Sequence, residues 1–453
     1  MIGDLKPYTK YKDSGHEWLG AIPEQWSILR AKFMFREVDD RSLEGKEELL
    51  SVSHLTGVTP RSQKTITMFL AESNVGHKVC QPFDLVINTM WAWMGALGVS
   101  SHHGIVSPAY GIYRPLAASP LTPSYASLLL RVPLYAAEYQ RRSTGVNSSR
   151  LRLYPEQFLR MPIIVPTPDD QAAIVRFLEW SNLRLDKAIR AKRKVIALLN
   201  EQKRAVIQRA LRCGLDPSVS FKPSGVSWLG AIPQHWKITR VKNEFVCLNT
   251  RRVPLNSVER GAMNSRTYPY YGASGIIDLV NDYLFDEELL LIAEDGANLV
   301  LRNLPLAIIA RGKFWVNNHA HILKPKNGNI VYLAHLLETL NYMPWISGAA
   351  QPKLTQDRLL AITLAVAPPN EQEAIVSHIS RQTRPLDTAI SRLQREVELL
   401  REYRTRLIAD AVTGKIDVRD MTISNADDVA TDVREDDLDL MIDPEAADEE
   451  LAV

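Results

Sequence analysis

Several side chains of this chain have the types and spacing that chemistry uses. His319 and His321, two apart, and the adjacent His102 and His103 are metal-ligand types, but neither pair has a third ligand at suitable spacing, so no metal is expected. Asp169 and Asp170 stand at the start of a helical stretch, where attraction to the helix N-terminus explains both carboxylates without acid–base catalysis. There is no GxGxxG loop, no Walker phosphate loop and no Asn/Asp-Pro-Pro-Tyr motif for gripping a flipped base. What remains is a population of aromatic, amide and basic side chains near expected turns, the kinds that stack on bases or hydrogen-bond their edges. Each is also what an ordinary turn contains, so position must decide. Lys192, Arg193, Lys194, Lys203 and Arg204 on one expected helix read as a solvated face, with DNA-phosphate contact as the alternative.

The elements that must position these residues come in duplicate. Ser14-Gly15-His16-Glu17-Trp18-Leu19-Gly20-Ala21-Ile22-Pro23-Glu24-Gln25-Trp26 returns 210 residues later as Ser224-Gly225-Val226-Ser227-Trp228-Leu229-Gly230-Ala231-Ile232-Pro233-Gln234-His235-Trp236. Asp170-Gln171-Ala172-Ala173-Ile174-Val175 and Leu185-Asp186-Lys187-Ala188-Ile189 return 201 residues later as Glu371-Gln372-Glu373-Ala374-Ile375-Val376 and Leu386-Asp387-Thr388-Ala389-Ile390. The stretches between the blocks do not visibly resemble each other. A frame kept twice around two different inserts predicts one scaffold presenting two different readers.

The first block is rich in Gly and Pro and reads as a turn-rich segment whose two Trp dock on the scaffold. The second reads as a long helix. Leu185, Ile189, Ile196, Leu199, Val206 and Ala210 follow a 4,3 alternation that skips Lys192 and Lys203; Leu386, Ile390, Leu393, Val397, Leu400, Leu407 and Ala411 repeat it, skipping Arg404. Asp169 or Asn370 is the expected N-cap, Gly214 and Gly414 the expected ends, and Pro385 is expected to kink or break the second helix, leaving a straight part from Leu386. The simplest partner for each stripe is the other, in an antiparallel pair about a pseudo-twofold axis. In the inserts, strands are expected over Phe83–Asn88, over Gly104–Tyr113 with a Pro break, around Tyr268–Gly275, over Leu289–Ala293 and around Lys313–His321, so both read as mixed α/β.

A net charge of +2 over 453 residues conceals polarity, since residues 419–453 carry thirteen acids and two bases, which leaves the first 418 residues at +13. A basic body fits a polyanion partner, and the acidic tail reads as a disordered solvating segment or as a competitor for the basic surface. Cys80, Cys213 and Cys247 have neither CxxC spacing nor a disulfide framework and read as small buried hydrophobes in a reducing cytoplasm. No signal core or run of ~18 apolar residues is present, so a soluble protein without a membrane partner is expected.

The duplicated WLGAIP and Ala-Ile-Val blocks, the run Ala411-Val412-Thr413-Gly414-Lys415-Ile416-Asp417-Val418, and the phrases Gly104-Ile105-Val106-Ser107-Pro108-Ala109-Tyr110 and Tyr268-Pro269-Tyr270-Tyr271-Gly272 resemble the specificity (S) subunits of type I restriction-modification enzymes over residues 10 to 418. The first helix departs from the family-like ending at Ala210-Leu211-Arg212-Cys213-Gly214-Leu215-Asp216. The resemblance implies target-recognition domains at 1–168 and 216–369, long helices at 169–215 and 370–418 forming an antiparallel coiled coil, and an acidic tail at 419–453. It implies a non-catalytic subunit that reads an asymmetric bipartite site on double-stranded DNA and docks two methyltransferase (M) subunits and restriction (R) subunits. S-adenosylmethionine, ATP and Mg2+ would belong to those partners, and this chain would hold no cofactor. Helices of about 42 to 60 Å span the ~34 Å between half-sites one turn apart. The expected DNA contacts are Lys64, Trp91, Trp93, His102, His103 and Arg150 in the first reader. In the second they are Arg251, Arg252, Tyr270, Tyr271, Lys313, Asn317, Asn318 and Lys353. The competing readings are a coiled-coil assembly scaffold that does not read DNA, and an enzyme, which would need motifs this chain lacks.

Overall fold

The computed structural model describes residues 5–63, 73–145, 151–348 and 352–421. The chain forms two compact units, residues 1–194 with 393–453, and residues 195–392. The division therefore runs through both long helices.

In the first unit, β1 (Tyr11–Asp13) and β2 (Ala21–Pro23) form a hairpin across the repeated block, and β3 (Ser27–Arg30) pairs with β12 (Pro162–Val165). Between them lie β4 (Phe35–Val38), β5 (Leu50–Ser53), β6 (Gly57–Pro60), β7 (Lys78–Cys80), β8 (Leu85–Ile87), β9 (Leu97–Val99), β10 (Gly104–Val106) and β11 (Gly111–Pro115). One sheet has the order β4-β11-β8-β9. The pairs β5-β6 and β7-β10 are joined by a parallel bridge from Leu49 to Ile105. Helices α1 (Pro123–Leu129), α2 (Pro133–Arg142) and α3 (Pro155–Leu159) follow, and then α4 (Pro168–Cys213) begins.

The second unit repeats the plan. Its hairpin is β13 (Phe221–Pro223) with β14 (Ala231–Pro233), and β15 (Lys237–Arg240) pairs with β24 (Thr363–Val366). The insert carries α5 (Val241–Glu244), β16 (Phe245–Cys247), α6 (Ser257–Gly261), β17 (Tyr268–Gly272), β18 (Gly275–Val280), β19 (Phe285–Asp286), β20 (Leu289–Ala293), α7 (Asn298–Leu301), β21 (Ala307–Ala310), β22 (Lys313–Val316) and β23 (Ala320–Pro325). Helices α8 (Ile330–Glu338) and α9 (Gln356–Ala361) lead to β24, and α10 (Pro369–Val412) follows. Its sheets run β16-β23-β20-β21 and β18-β17-β22-β19, the latter with a parallel β17-β22 pair at its centre. Inserts without visible sequence likeness thus have the same strand order.

Burial explains the sequence of the central strands. Along β8, Leu85 and Ile87 face the core built on α1 to α3, while Val86 faces a smaller core with Val38, Val52, Val106 and Ile112. Along β20, Leu290 and Ile292 face the helical side, and Leu289 and Leu291 face Phe285, Phe314 and Val316. Because both faces are covered, the strands read as continuous apolar runs rather than alternating ones.

Each unit holds half of an antiparallel helix pair. In the first, Asp186 of α4 meets Arg404 of α10, whereas the later Lys192 meets the earlier Glu396 at 2.6 Å. In the second, Lys203 meets Asp387 at 2.5 Å. The cations that interrupt the 4,3 stripes are therefore the ones that pair across them. Leu185, Ile189, Ile390, Val397 and Leu407 are buried, and Ile196, Leu199, Val206, Leu386, Leu393 and Leu400 half-buried.

Three local expectations are corrected. Helix α10 continues through Pro385, because that residue is exposed, the carbonyl freed four residues earlier belongs to exposed Arg381, and buried Ile379 and Ile390 hold the flanking turns. Both long helices begin at a proline, Pro168 or Pro369, rather than after Asp169 or Asn370; Thr167 Oγ1 accepts from the Asp170 N–H at 3.2 Å, and Pro168 occupies the first helical position. Of the cysteines, only Cys80 is buried, Cys247 being half-buried and Cys213 exposed at the end of α4.

Candidate nucleic-acid interface

In the second unit, three backbone segments converge where β20 ends and β23 begins. The Glu294 N–H donates to His319 O (2.9 Å), Leu354 N–H to Glu294 O (2.8 Å), and Gly296 N–H to Pro352 O (3.1 Å). Ser347 and Lys353 close the third segment with reciprocal bonds of 2.9 and 2.8 Å. Glu294 collects positive charge, with Arg252 Nη1 at 2.6 Å and Lys353 Nζ at 3.3 Å. Burial pushes the Glu294 carboxyl up, but the Arg252 hydrogen bond and charge, with the Lys353 hydrogen bond, outweigh it and hold the group below the usual range.

His321 is fully buried; Asn249 Nδ2 donates to its Nδ1 (2.8 Å), and its Nε2 donates to Leu354 O (2.7 Å), which fits the neutral ring. Burial lowers its pKa below the usual histidine value. On the outer side, exposed His319 lies 2.9 Å from the Asp295 carboxylate, beside exposed Asn318 and the half-exposed Lys353.

The first unit places the corresponding segments together with different chemistry. Leu153 N–H donates to Thr89 O (2.9 Å), Thr89 Oγ1 to Ala109 O (2.8 Å), and Thr144 and Arg152 exchange backbone bonds of 3.0 Å. Arg152 and Leu153 correspond to Lys353 and Leu354 at the same 201-residue spacing as the helix block. Asn88 Nδ2 donates to Tyr110 Oη (3.1 Å), and the Trp93 indole to Met90 O (3.0 Å). Where the second unit carries carboxylates and histidine, the first carries Trp91, Trp93, Tyr110 and Arg152.

These clusters sort the expected contacts. Trp91 and Trp93, half-buried in the loop after β8, lie in the first cluster; Arg252, Asn317, Asn318 and Lys353 lie in the second. Of the second set, Arg252 is committed to Glu294 and to the Asn318 and Ala320 carbonyls, and buried Asn317 accepts from the His319 N–H (2.8 Å) to shape the turn. His102 and His103 precede β10, at the opposite end of that strand from Ser107–Tyr110. Arg251 pairs with Glu287 (3.2 Å) and covers the Phe285 ring, and Lys313 covers the Tyr283 ring at the start of β22, away from the cluster. Tyr270 is a correction: it is 1% exposed, accepts from the Leu255 N–H and lies under Arg260, so its ring belongs to the core. Half-buried Tyr271 packs edge-on against Phe314. Lys64 and Arg150 lie outside the described residues.

Sequence reasoning missed Arg152, although its 201-residue spacing from Lys353 was available. It also missed the role of Asp170, which accepts from the Trp26 indole (2.6 Å) and Gln25 (3.2 Å) as well as standing near the helix start. Glu371 does the same for Trp236 (3.0 Å) and His235 (2.7 Å).

A family model described as the type I restriction modification DNA specificity domain matches residues 233–399. This stretch of the chain is similar to that domain. A Haemophilus influenzae protein described as a type I restriction enzyme specificity subunit, S.HindORF215P, is 37% identical over 138 residues, 30% of this chain and 34% of that protein. The EcoprrI specificity subunit of Escherichia coli is 30% identical over 141 residues, 31% of this chain and 33% of its own. The chain thus spans about a third of the length of these relatives. A solved chain from a study of assembly and conformational transition in the type I restriction-modification system aligns with a TM-score of 0.60 at 12% identity, covering 86% of this chain and 98% of its own, a likeness of fold. The specificity-domain match begins inside the second copy of the WLGAIP block and reaches into α10, so it takes in the whole second insert and its loop cluster. Proteins of this family are generally non-catalytic. Among the described residues no helix is long and apolar enough to cross a membrane, and no three His, Cys, Asp or Glu side chains gather as metal ligands would.

Proposed function

We propose that the chain is the DNA-reading subunit of a type I restriction-modification complex, with one loop cluster per unit reading one half of a bipartite site. The observation that carries this reading is the shared strand order of two inserts whose cluster residues differ: Trp91, Trp93 and Arg152 in one, Asn318, His319 and Lys353 in the other. A common sheet with unlike loops is how one fold addresses two unlike targets. Exposed Lys353 and Arg152 supply phosphate contact, while Asn318, His319 and the tryptophans supply base-edge and stacking contact. The unlike clusters predict unlike half-sites. In this reading the chain does no chemistry itself; methyltransferase and restriction subunits dock on it and bring S-adenosylmethionine, ATP and Mg2+.

The test is duplex selection by the chain purified with its methyltransferase subunit. Enrichment of two different short sequences at fixed spacing supports the proposal. A pool that stays random while binding strongly would overturn it in favour of an assembly scaffold.

A further inference from the structure

The first unit has a second charged feature away from its loop ends. A groove of about 920 Å³ runs beside the β3–β12 pair, with Ile28 and Leu159 on its apolar floor and Arg30, Lys32 and Arg160 on its rim. Glu156 is the one carboxylate lining it. Arg30, Lys32 and Arg160 are exposed and have no carboxylate within ion-pair distance among the described residues, so the rim holds uncompensated positive charge.

We propose that the acidic segment Glu435–Asp443 of this same chain docks in that groove. Residues 422–453 carry twelve acids and one base, and the sequence Asp437-Leu438-Asp439-Leu440-Met441-Ile442-Asp443 intersperses carboxylates with the apolar side chains that a basic rim and an apolar floor call for. The tether begins in the right place. Arg419 covers the Tyr8 ring at 5.0 Å, Tyr8 packs on Trp26 at 5.5 Å, and Met421 packs on the core of the first unit. Strand β3 follows Trp26 and carries Arg30 to the groove about 13 Å further on. Some thirteen residues between Met421 and Glu435 span up to ~45 Å extended, more than that distance requires. Tethering also sets an effective concentration of order mM, which a free polyanion must overcome.

The consequence rests on the DNA-reading proposal. Arg142, also lining the groove, stands two residues before Thr144, and Glu156 four residues after Arg152, so a docked acidic segment lies beside the first loop cluster and screens it from non-specific duplex.

Docking is tested without DNA by zero-length carboxyl–amine cross-linking of the full chain at low salt, followed by peptide mapping. The expected product joins Lys32 to a carboxylate within 435–443. It should fall about tenfold at high salt and in an Arg30→Gln/Arg160→Gln variant whose melting is unchanged. In a mixture of isotopically light and heavy chains, the cross-link should stay within one chain. Cross-links spread evenly over the surface lysines, or joining light to heavy chains, would overturn the docking. Screening is tested by ending the chain after Met421. Random-sequence duplex should then bind about tenfold more tightly at low salt; unchanged affinity overturns the screening. Failure of the DNA-reading proposal is separate, since neither form would then bind duplex while the Lys32 cross-link persists.

Discussion

Replacing Asp170 by alanine should destabilise the first unit far more than replacing its counterpart Glu371 destabilises the second. Asp170 is 2% exposed and accepts the Trp26 indole, itself 0% exposed, at 2.6 Å and the Gln25 amide at 3.2 Å. Its removal costs a charge-assisted hydrogen bond and leaves a buried N–H unmatched, together about 3 kcal/mol. Glu371 accepts Trp236 at a longer 3.0 Å, and its other partner His235 is 44% exposed, so water replaces part of what is lost and about 1 kcal/mol is expected. At about 2 to 4 °C per kcal/mol for units of this size, Asp170→Ala should lower the first unit's melting temperature by about 6 to 12 °C, and Glu371→Ala the second's by about 2 to 4 °C. Asp170→Asn keeps an acceptor and should lose about half as much. Calorimetry gives the magnitudes, and amide exchange in β3 and β12 against β15 and β24 assigns them to a unit. A smaller loss for Asp170→Ala than for Glu371→Ala, or equal loosening of both strand pairs, would refute this assignment.

Burial keeps His321 neutral with a pKa below its usual ~6.5, so as pH falls the unfolded chain takes up the proton first; stability of the second unit should be complete above about pH 6.5 and fall below it by up to ~1.4 kcal/mol per pH unit. Thermal melts against pH should show this slope as pH falls below about 6.5, and His321→Gln should melt lower with that part of the slope gone; a flat wild-type profile would count against it. Gly414 has φ +78° and an added Cβ would stand 2.5 Å from Pro23 and 2.8 Å from Trp26, whereas at Gly230, φ +66°, the nearest atom is 3.6 Å away on the Arg212 side chain. Urea titration should therefore give a loss above ~2 kcal/mol for Gly414→Ala and ~1 kcal/mol for Gly230→Ala, and equal losses would refute the packing argument. Lys353→Ala and Arg152→Ala should each weaken duplex binding by a similar factor for every sequence and lower the salt slope by about 1; an effect confined to one sequence would make either residue a base reader instead.

The frame was legible because its constraints are local and periodic. The 4,3 stripes, the positive-φ glycines closing each helix and the buried tryptophans all leave marks on single residues and short spacings. Pro385 misled because the cost of a proline depends on which way its freed carbonyl faces, and that is set by the partner helix. The shared strand order of the inserts was invisible for a related reason. Strands covered on both faces need only apolar bulk, so Leu85-Val86-Ile87 and Leu289-Leu290-Leu291-Ile292-Ala293 satisfy the same position without matching residue by residue. The candidate contacts were the least legible. Tyr270 and His103 look alike as turn-side polar residues in sequence, and only the tertiary contacts send one into the core and leave the other exposed.

In the proposed reading, two unlike loop clusters on one duplicated frame direct a modification enzyme to a two-part site. Methylated bases can be mapped genome-wide in cells expressing the methyltransferase subunit with this chain, and in cells expressing the subunit alone. Methylation is expected at an asymmetric two-part motif with a fixed unspecified spacer, present only with the chain. The same methylation pattern from an active methyltransferase subunit without this chain would contradict it.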